Sequence, residues 1–262
     1  VFFNLRCDII DEEIIDAIKE LNPRNCVGFG VESYNINVLK SMRKHITPDQ
    51  INNAFKITSD RHITTQCNVI FGDSAETMDT AKDTLDFYTH NMDILRGGLN
   101  MTFISVFPGT ELYHDCKTRG IIKDDVQFIE ERANAKADLI IRPLNMTHMS
   151  DECFGRLVSM VYNTEYYKGN HFVKPLSVKT TDGVTEVQIR CPDCGEITTL
   201  KNERIPSDDY WAKMVLCRNG KCNLRFFMSS PKHALARKMY LVLGERLFNI
   251  VTDIFTKIRG KK

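Results

Sequence analysis

From residue 1 to about 120, short apolar runs alternate with stretches whose apolar residues recur at helical spacing, the pattern that successive parallel β/α units write into a sequence. Phe2 to Cys7 is predicted as the first strand. Asp11, Glu12 and Glu13 then open a helix with Ile14, Ile15, Ile18 and Leu21 on one face, and Asn22-Pro23 stops it. Cys26 to Glu32 is a glycine-rich second strand. Thr47-Pro48-Asp49-Gln50 combines an N-cap hydroxyl, a proline at the first helical position and a glutamine three residues after the cap, so a helix is expected to about Asp60. Thr64 to Phe71 is the third strand. Asp73 and Glu76 have the spacing of a second cap pair, ahead of a helix striped by Met78, Ala81, Leu85 and Tyr88. Leu99 to Phe107 is the fourth strand, closed by Pro108-Gly109, and Thr110 caps a helix ending at Gly120. Periodicity alone leaves a section of an α/β barrel and a doubly wound sheet equally open.

Beyond Gly120 the pattern changes. An acidic, helix-prone connection leads to Leu139-Ile-Ile-Arg142, and Ser150-Asp-Glu caps a helix to about Tyr167. Residues 169–186 read as a linker and 187–229 as a small β-rich module. Ser230-Pro231 starts an amphipathic helix over 230–262, with Leu235, Met239, Leu243, Leu247, Ile250, Ile254 and Ile258 along one side.

Composition narrows the class of protein. With 262 residues, 42% of them apolar, the chain can bury one large core and a small appendage, as a soluble globular protein does. Its formal charge of +1 gives no overall field to draw in nucleic acid or an anionic membrane, so any such contact must be local. Five of its nine cysteines (Cys7, Cys26, Cys67, Cys116, Cys153) are scattered singly, which points to a reducing, cytoplasmic setting. No apolar run is long enough to span a bilayer. The chain opens inside a strand-like run, Val1-Phe-Phe-Asn-Leu-Arg, and is therefore expected to lack an upstream segment.

The strongest chemical signal is Cys191-Pro-Asp-Cys194 with Cys217-Arg-Asn-Gly-Lys-Cys222. A turn of two to four residues between paired cysteines brings both sulfurs onto one ion, and two such turns on strand-like flanks resemble a zinc ribbon. An auxiliary iron-sulfur cluster is the rival occupant; Pro192-Asp193 and Gly195 favour zinc. A closed site of four thiolates leaves no open position for catalysis. Basic residues of the module (Lys201, Arg204, Lys213, Arg218, Lys221, Arg225) are diluted by acidic ones, so nucleic-acid binding is not expected of it.

A second set of motifs carries a family resemblance. Val27-Gly-Phe-Gly-Val-Glu-Ser33, then Val38-Leu-Lys-Ser-Met42 and Ile46-Thr47, followed in order by Asn68-Val-Ile-Phe-Gly72 with Glu76-Thr77 and by Phe107-Pro-Gly-Thr-Glu-Leu-Tyr113, resembles the fourth- to sixth-strand regions of radical S-adenosylmethionine enzymes. Arg6 and Asp8 fit the third strand, and the ensemble is most similar to the cobalamin-binding branch. The resemblance covers residues 1–168 and implies an α/β fold, the C-terminal part of a partial (β/α)6 barrel, ahead of the ribbon and the final helix.

It also implies S-adenosylmethionine and a 4Fe-4S cluster as cofactors, with cobalamin a further candidate. In such enzymes the cluster reductively cleaves S-adenosylmethionine to methionine and a 5′-deoxyadenosyl radical. A methyl transfer to a small molecule or biosynthetic intermediate is the first expectation, with an electron-donor protein as partner. The family's CxxxCxxC loop is absent, and the nearest two of the five scattered cysteines, Cys7 and Cys26, are 19 positions apart. The cluster ligands are therefore expected upstream, and the 262 residues alone are expected to be inactive. The resemblance points to Arg6, Gly30, Glu32, Ser33, Asn68, Ser105, Pro108 and Gly109 as residues around S-adenosylmethionine, with Glu32 accepting from its hydroxyls or ammonium. Plainer uses stay open: Glu32 as a helix cap or a partner of Arg43, Arg6 in a structural ion pair, Asn68 and Ser105 as satisfied core polars. Two competing classes are a non-enzymatic adaptor, whose ribbon and helix recruit a protein or nucleic acid, and an α/β enzyme using another cofactor, for which a phosphate-binding glycine loop is missing. The basic end of the last helix (Lys257, Arg259, Lys261, Lys262) suits either its macrodipole or an anionic membrane surface.

Overall fold

The structure, a computed structural model, describes residues 2–21, 26–95, 98–133, 143–168, 171–182, 184–203, 211–219, 222 and 224–259. Four strands, β1 (Phe2–Leu5), β2 (Cys26–Glu32), β3 (Thr64–Phe71) and β4 (Gly98–Phe103), form one sheet in the order β1-β2-β3-β4 with every neighbouring pair parallel. Each crossover carries helix: α1 (Glu12–Leu21) after β1, α2 (Ile36–Ser41) and α3 (Pro48–Asp60) after β2, and α4 (Met78–His90) after β3. After β4 come α5 (Glu111–Thr118), α6 (Asp125–Ala133) and α7 (Asp151–Asn163), the last running into a π turn over Thr164–Lys168.

Strand alternation sends every second side chain to one face. Val27, Phe29, Val31, Cys67, Val69, Phe71 and Met101 point into a core shared with Ile15, Ile18, Ile51, Phe55, Leu85, Tyr88, Leu157 and Val161 from the helices. Each such side chain contributes about 1.5–3 kcal/mol when fully buried, so this layer fixes the sheet's register. Alternate positions face the other way and are mostly polar or glycine (Gly28, Gly30, Gln66, Asn68, Asn100, Thr102), with Cys26 and Ile70 among them.

The capping box read at Thr47 is present: Thr47 Oγ1 accepts from Gln50 N–H at 3.3 Å, and Gln50 Oε1 accepts from Thr47 N–H at 2.9 Å. The pair expected at Asp73 and Glu76 does not cap. Thr77 and Thr80 cap α4 reciprocally, while Asp73 closes a turn by accepting from Ala75 N–H at 2.8 Å, and Glu76 turns back to Gly72. Two strands are shorter than expected. β1 gives way to a 3-10 turn at Cys7–Ile9. β4 ends at Phe103 because its ladder runs out: Ile104 N–H makes a last bond to Phe71 carbonyl, and Gly72, at φ 94°, swings β3 away. The segment 139–142 lies outside the described residues.

The stretch expected as a linker, 169–186, instead carries strands. β5 (His171–Val173) pairs with β10 (Arg225–Ser229), which also pairs with β9 (Ala212–Leu216). β6 (Ser177–Thr181), β7 (Val184–Arg190) and β8 (Ile197–Leu200) form an antiparallel sheet of their own. A small core of Val187, Ile189, Leu200, Val215, Leu224, Phe226 and Met228 gathers with three of the module's cysteines. The final helix, α8 (Pro231–Arg259), is broken at Gly244 (φ 71°, ψ 167°). It packs through His233, Tyr240 and Phe248 against Tyr167 and its neighbours; of the expected stripe Met239 joins this cluster, Leu235, Leu247 and Ile250 are exposed, and the side chains of Ile254 and Ile258 lie outside the described residues. Among the described residues no helix is long and apolar enough to cross a membrane.

Candidate functional site

The C-terminal ends of the four parallel strands share one sheet edge, and Glu32 stands on it. A β-bulge between Gly30 and Glu32 shifts the register against β3, and Glu32 takes a left-handed φ of 63°. That conformation is uncommon for a residue with a Cβ and costs of order 1 kcal/mol or more. The bulge turns the carboxylate back over Gly30. Oε1 accepts from Lys44 Nζ at 2.8 Å, while Oε2 is buried with no hydrogen-bond partner among the described residues. A Cβ on Gly30 would lie 2.8 Å from Glu32 Oε1 and 3.1 Å from Lys44 Nζ, so the glycine makes room for the ion pair. The pairing is with Lys44, not Arg43.

Beside it runs a polar row. Asn68 stands opposite Gly30 on one side and Asn100 on the other, and Asn68 Oδ1 accepts from Asn100 Nδ2 at 3.2 Å and from Gln66 Nε2 at 3.5 Å. Gln66 in turn accepts from Arg225 Nη1 at 3.3 Å, so the cysteine module reaches this face from β10. Asn100 is exposed and Asn68 half-buried, which leaves the C-terminal half of the row open.

The expected site residues divide accordingly. Gly30, Glu32 and Asn68 are adjacent on the polar face. Ser105, Pro108 and Gly109 are exposed and follow the C-terminal end of β4, which is two strands away from β2; Gly109 has φ 84° and open space around it. Arg6 is half-exposed and forms a two-point pair with Asp8, at 2.9 and 2.8 Å. Ser33 faces the opposite layer, fully buried, with its hydroxyl 3.1 Å from Thr84 Oγ1 and accepting from Asn35 N–H. Lys44, Asn100 and Gln66 were not anticipated. Gln66 and Asn100 sit next to the buried Cys67 and Met101 on their strands, a signal legible in the sequence; Lys44 lies in the loop between α2 and α3, which carries none.

A buried carboxyl, Glu76, and a half-buried one, Glu165, flank the sheet. Burial holds Glu76 up to about 7, although it accepts from Gly72 N–H at 2.8 Å, and burial likewise lifts Glu165, on the π turn, to about 7 against a bond from the Met101 N–H. Burial also pushes the Cys7 thiol up to about 12 and Cys67 well above its ordinary range, so both behave as packing groups.

The second centre is the thiolate cluster. Cys191 and Cys194 lie between β7 and β8, Cys217 and Cys222 between β9 and β10, and all four sulfurs fall within 4.8 Å of one another. Cys191 to Cys222 is 3.7 Å and Cys194 to Cys217 is 3.6 Å. Zn–S bonds of about 2.3 Å in a tetrahedron set sulfurs roughly 3.8 Å apart. A cubane, with its irons at separate corners, needs a wider set. The first knuckle is built by Gly195 N–H donating to Cys191 carbonyl at 3.1 Å, with Gly195 at φ 75°, and by Cys191 N–H donating to Glu196 carbonyl at 2.8 Å. All nine cysteines are free of disulfides. This is the one group of three or more metal-capable side chains among the described residues.

No protein-family model matches the chain, and no curated protein matches it significantly. Among solved structures it is similar to the radical S-adenosylmethionine methyltransferase TsrM of Kitasatospora setae, with cobalamin and a 4Fe-4S cluster bound (17% identity, TM-score 0.39, 45% of this chain and 23% of that one). It is also similar to the N-terminally deleted archaeal Elp3 of Methanocaldococcus infernus (15%, 0.40, 80% and 58%) and to coproporphyrinogen III oxidase HemN of Escherichia coli, a radical S-adenosylmethionine enzyme (11%, 0.35, 51% and 38%). The chain thus spans between about a quarter and three fifths of the proteins it overlaps. Overlaps this loose leave the function to be argued from the chain's own residues.

Proposed function

We propose that this chain forms the nucleoside-holding part of a radical S-adenosylmethionine enzyme and that its four cysteines hold a structural zinc. The carrying observation is the buried, partnerless Oε2 of Glu32 at the C-terminal edge of β2, inside the glycine-rich motif that bears the family resemblance. The strand order supports a barrel wall over a doubly wound sheet, because four parallel strands follow one another without the reversal that makes a switch point.

S-adenosylmethionine offers hydroxyl and ammonium donors, and Glu32 Oε2 is an acceptor with no donor among the described residues. Lys44 holds Oε1 and thereby fixes the direction of Oε2. Asn68 and Asn100 present amides of both polarities beside it, and the exposed Phe107 to Gly109 turn offers main-chain groups at the same edge. When bound, S-adenosylmethionine would supply the 5′-deoxyadenosyl group for radical chemistry. The residues present do not fit a 4Fe-4S cluster: the N-terminal cysteines do not converge, and the four that do are spaced for a single ion. These 262 residues alone are therefore expected to assemble no such cluster. Cobalamin and methyl transfer to an unactivated carbon rest on the resemblance to the cobalamin-binding branch.

The test is calorimetric titration of the chain with S-adenosylmethionine, beside anaerobic reconstitution with iron and sulfide. Expected are measurable binding, weakened about tenfold in Glu32→Gln through the lost charge-assisted bond, one zinc per chain, and no stoichiometric 4Fe-4S centre. Binding indifferent to Glu32 would refute the assignment. A second reading, an adaptor that docks a protein, draws on the exposed Ile197, Met214 and Leu216 of the module; it expects zinc without nucleoside binding.

A further inference from the structure

The last helix has two apolar faces, and among the described residues only one is packed against the rest of the chain. His233, Tyr240 and Phe248, with Ala236 and Met239 partly buried beside them, pack on Tyr167. On the segment before Gly244, Leu235 and Val242 lie seven residues apart on the opposite face and are 60% and 75% exposed. Leu241, at 49%, extends this surface. On a helical wheel, exposed Lys232 and Lys238 fall on either side of Leu235. After Gly244, exposed Leu247 and Ile250 repeat the pattern with exposed Arg246 beside them. Lys232, Lys238 and Arg246 are the exposed basic residues of this surface, Arg237 being turned onto the Phe172 ring at 4.8 Å, and they stand in a chain whose total formal charge is only +1.

We infer that α8 docks in the plane of an anionic phospholipid surface, with Leu235, Val242, Leu247 and Ile250 entering the boundary between headgroups and acyl chains. Charge decides the occupant. Lysines are depleted from the cores of protein interfaces, whereas a helix resting in a bilayer surface extends its lysines along the apolar face to reach anionic headgroups. Among the described residues no helix can span the bilayer, and α8 is interrupted at Gly244, so the binding is peripheral. The surface is separate from the sheet edge and from the thiolates, and it stands or falls independently of the nucleoside reading.

The experiment is co-sedimentation of the full 262-residue chain with vesicles of phosphatidylcholine alone and of phosphatidylcholine containing about 30% phosphatidylserine, since an anionic leaflet is the invoked partner. Expected is binding to the anionic vesicles at least about tenfold tighter than to neutral ones and largely released by about 0.5 M salt, where the screening length falls to a few ångströms. Val242→Asp with Leu247→Asp, and separately Lys238→Glu with Arg246→Glu, should each weaken it about tenfold or more through lost insertion and lost attraction. Circular dichroism and metal content check that each variant folds, and the charge variant carries the test should the apolar one not fold. Equal or absent binding to the two vesicle types would overturn the proposal. So would anionic binding that both variants retain, or a concentration-dependent dimer abolished by the apolar variant, which would make a second copy the occupant.

Discussion

Glu32 and Gly30 form one unit: the glycine is where the glutamate's carboxylate rests. A methyl group at Gly30 meets only the far ends of two flexible side chains, Glu32 and Lys44, so Gly30→Ala is expected to cost less than about 1 kcal/mol of stability in thermal or urea denaturation. The same substitution displaces the carboxylate and should abolish nucleoside binding by calorimetry, a split that a purely structural glycine would not give. Glu76 gives a second prediction at this scale. Burial lifts its carboxyl from an ordinary 4.5 to about 7. Between those values the folded chain keeps a proton that the unfolded chain has released, so this group's contribution to stability falls as pH rises through the window and is constant outside it. Glu76→Gln removes that slope. Relative to the parent protein, the variant should gain roughly 3 kcal/mol between pH 4.5 and 7.5, measured by urea denaturation across the range.

At the scale of elements, the knuckles hold the module. Its core is small, so Cys217→Ser or chelation of the metal should unfold strands β7 to β10 and leave the N-terminal sheet's helical circular dichroism largely intact. Thr77→Ala should cost about 1 kcal/mol, since Thr77 and not Asp73 caps α4. How far sequence reaches is clearest here. Thr47-Pro48-Asp49-Gln50 and the two cysteine pairs are local chemistries complete within a few residues, and both are present as read. Asp73 and Glu76 carried the same local spelling, but a buried turn at Gly72 claimed the glutamate, and that turn exists only because β3 and β4 part there. Strand β6, Ser-Val-Lys-Thr-Thr, is mostly exposed and shows no alternation, so nothing in its composition separates it from a linker. Ser33 reads as a site residue from its place after Glu32, yet alternation from Phe29 and Val31 carries it to the core face, where it meets Thr84.

At the scale of the whole molecule, a side-chain contact links the thiolate module to the polar row. Arg225, three residues after Cys222, donates to Gln66 at the foot of the polar row that ends beside Glu32. Arg225→Ala is expected to leave zinc content unchanged and to raise amide hydrogen exchange along β3, and chelation should do the same to a larger extent. That link lies across 159 residues of chain. On the proposed assignment, a cell starved of zinc would lose more than a small appendage: the floor beneath the proposed nucleoside cradle would loosen as well, making supply of one ion a condition for holding a ligand that never touches it.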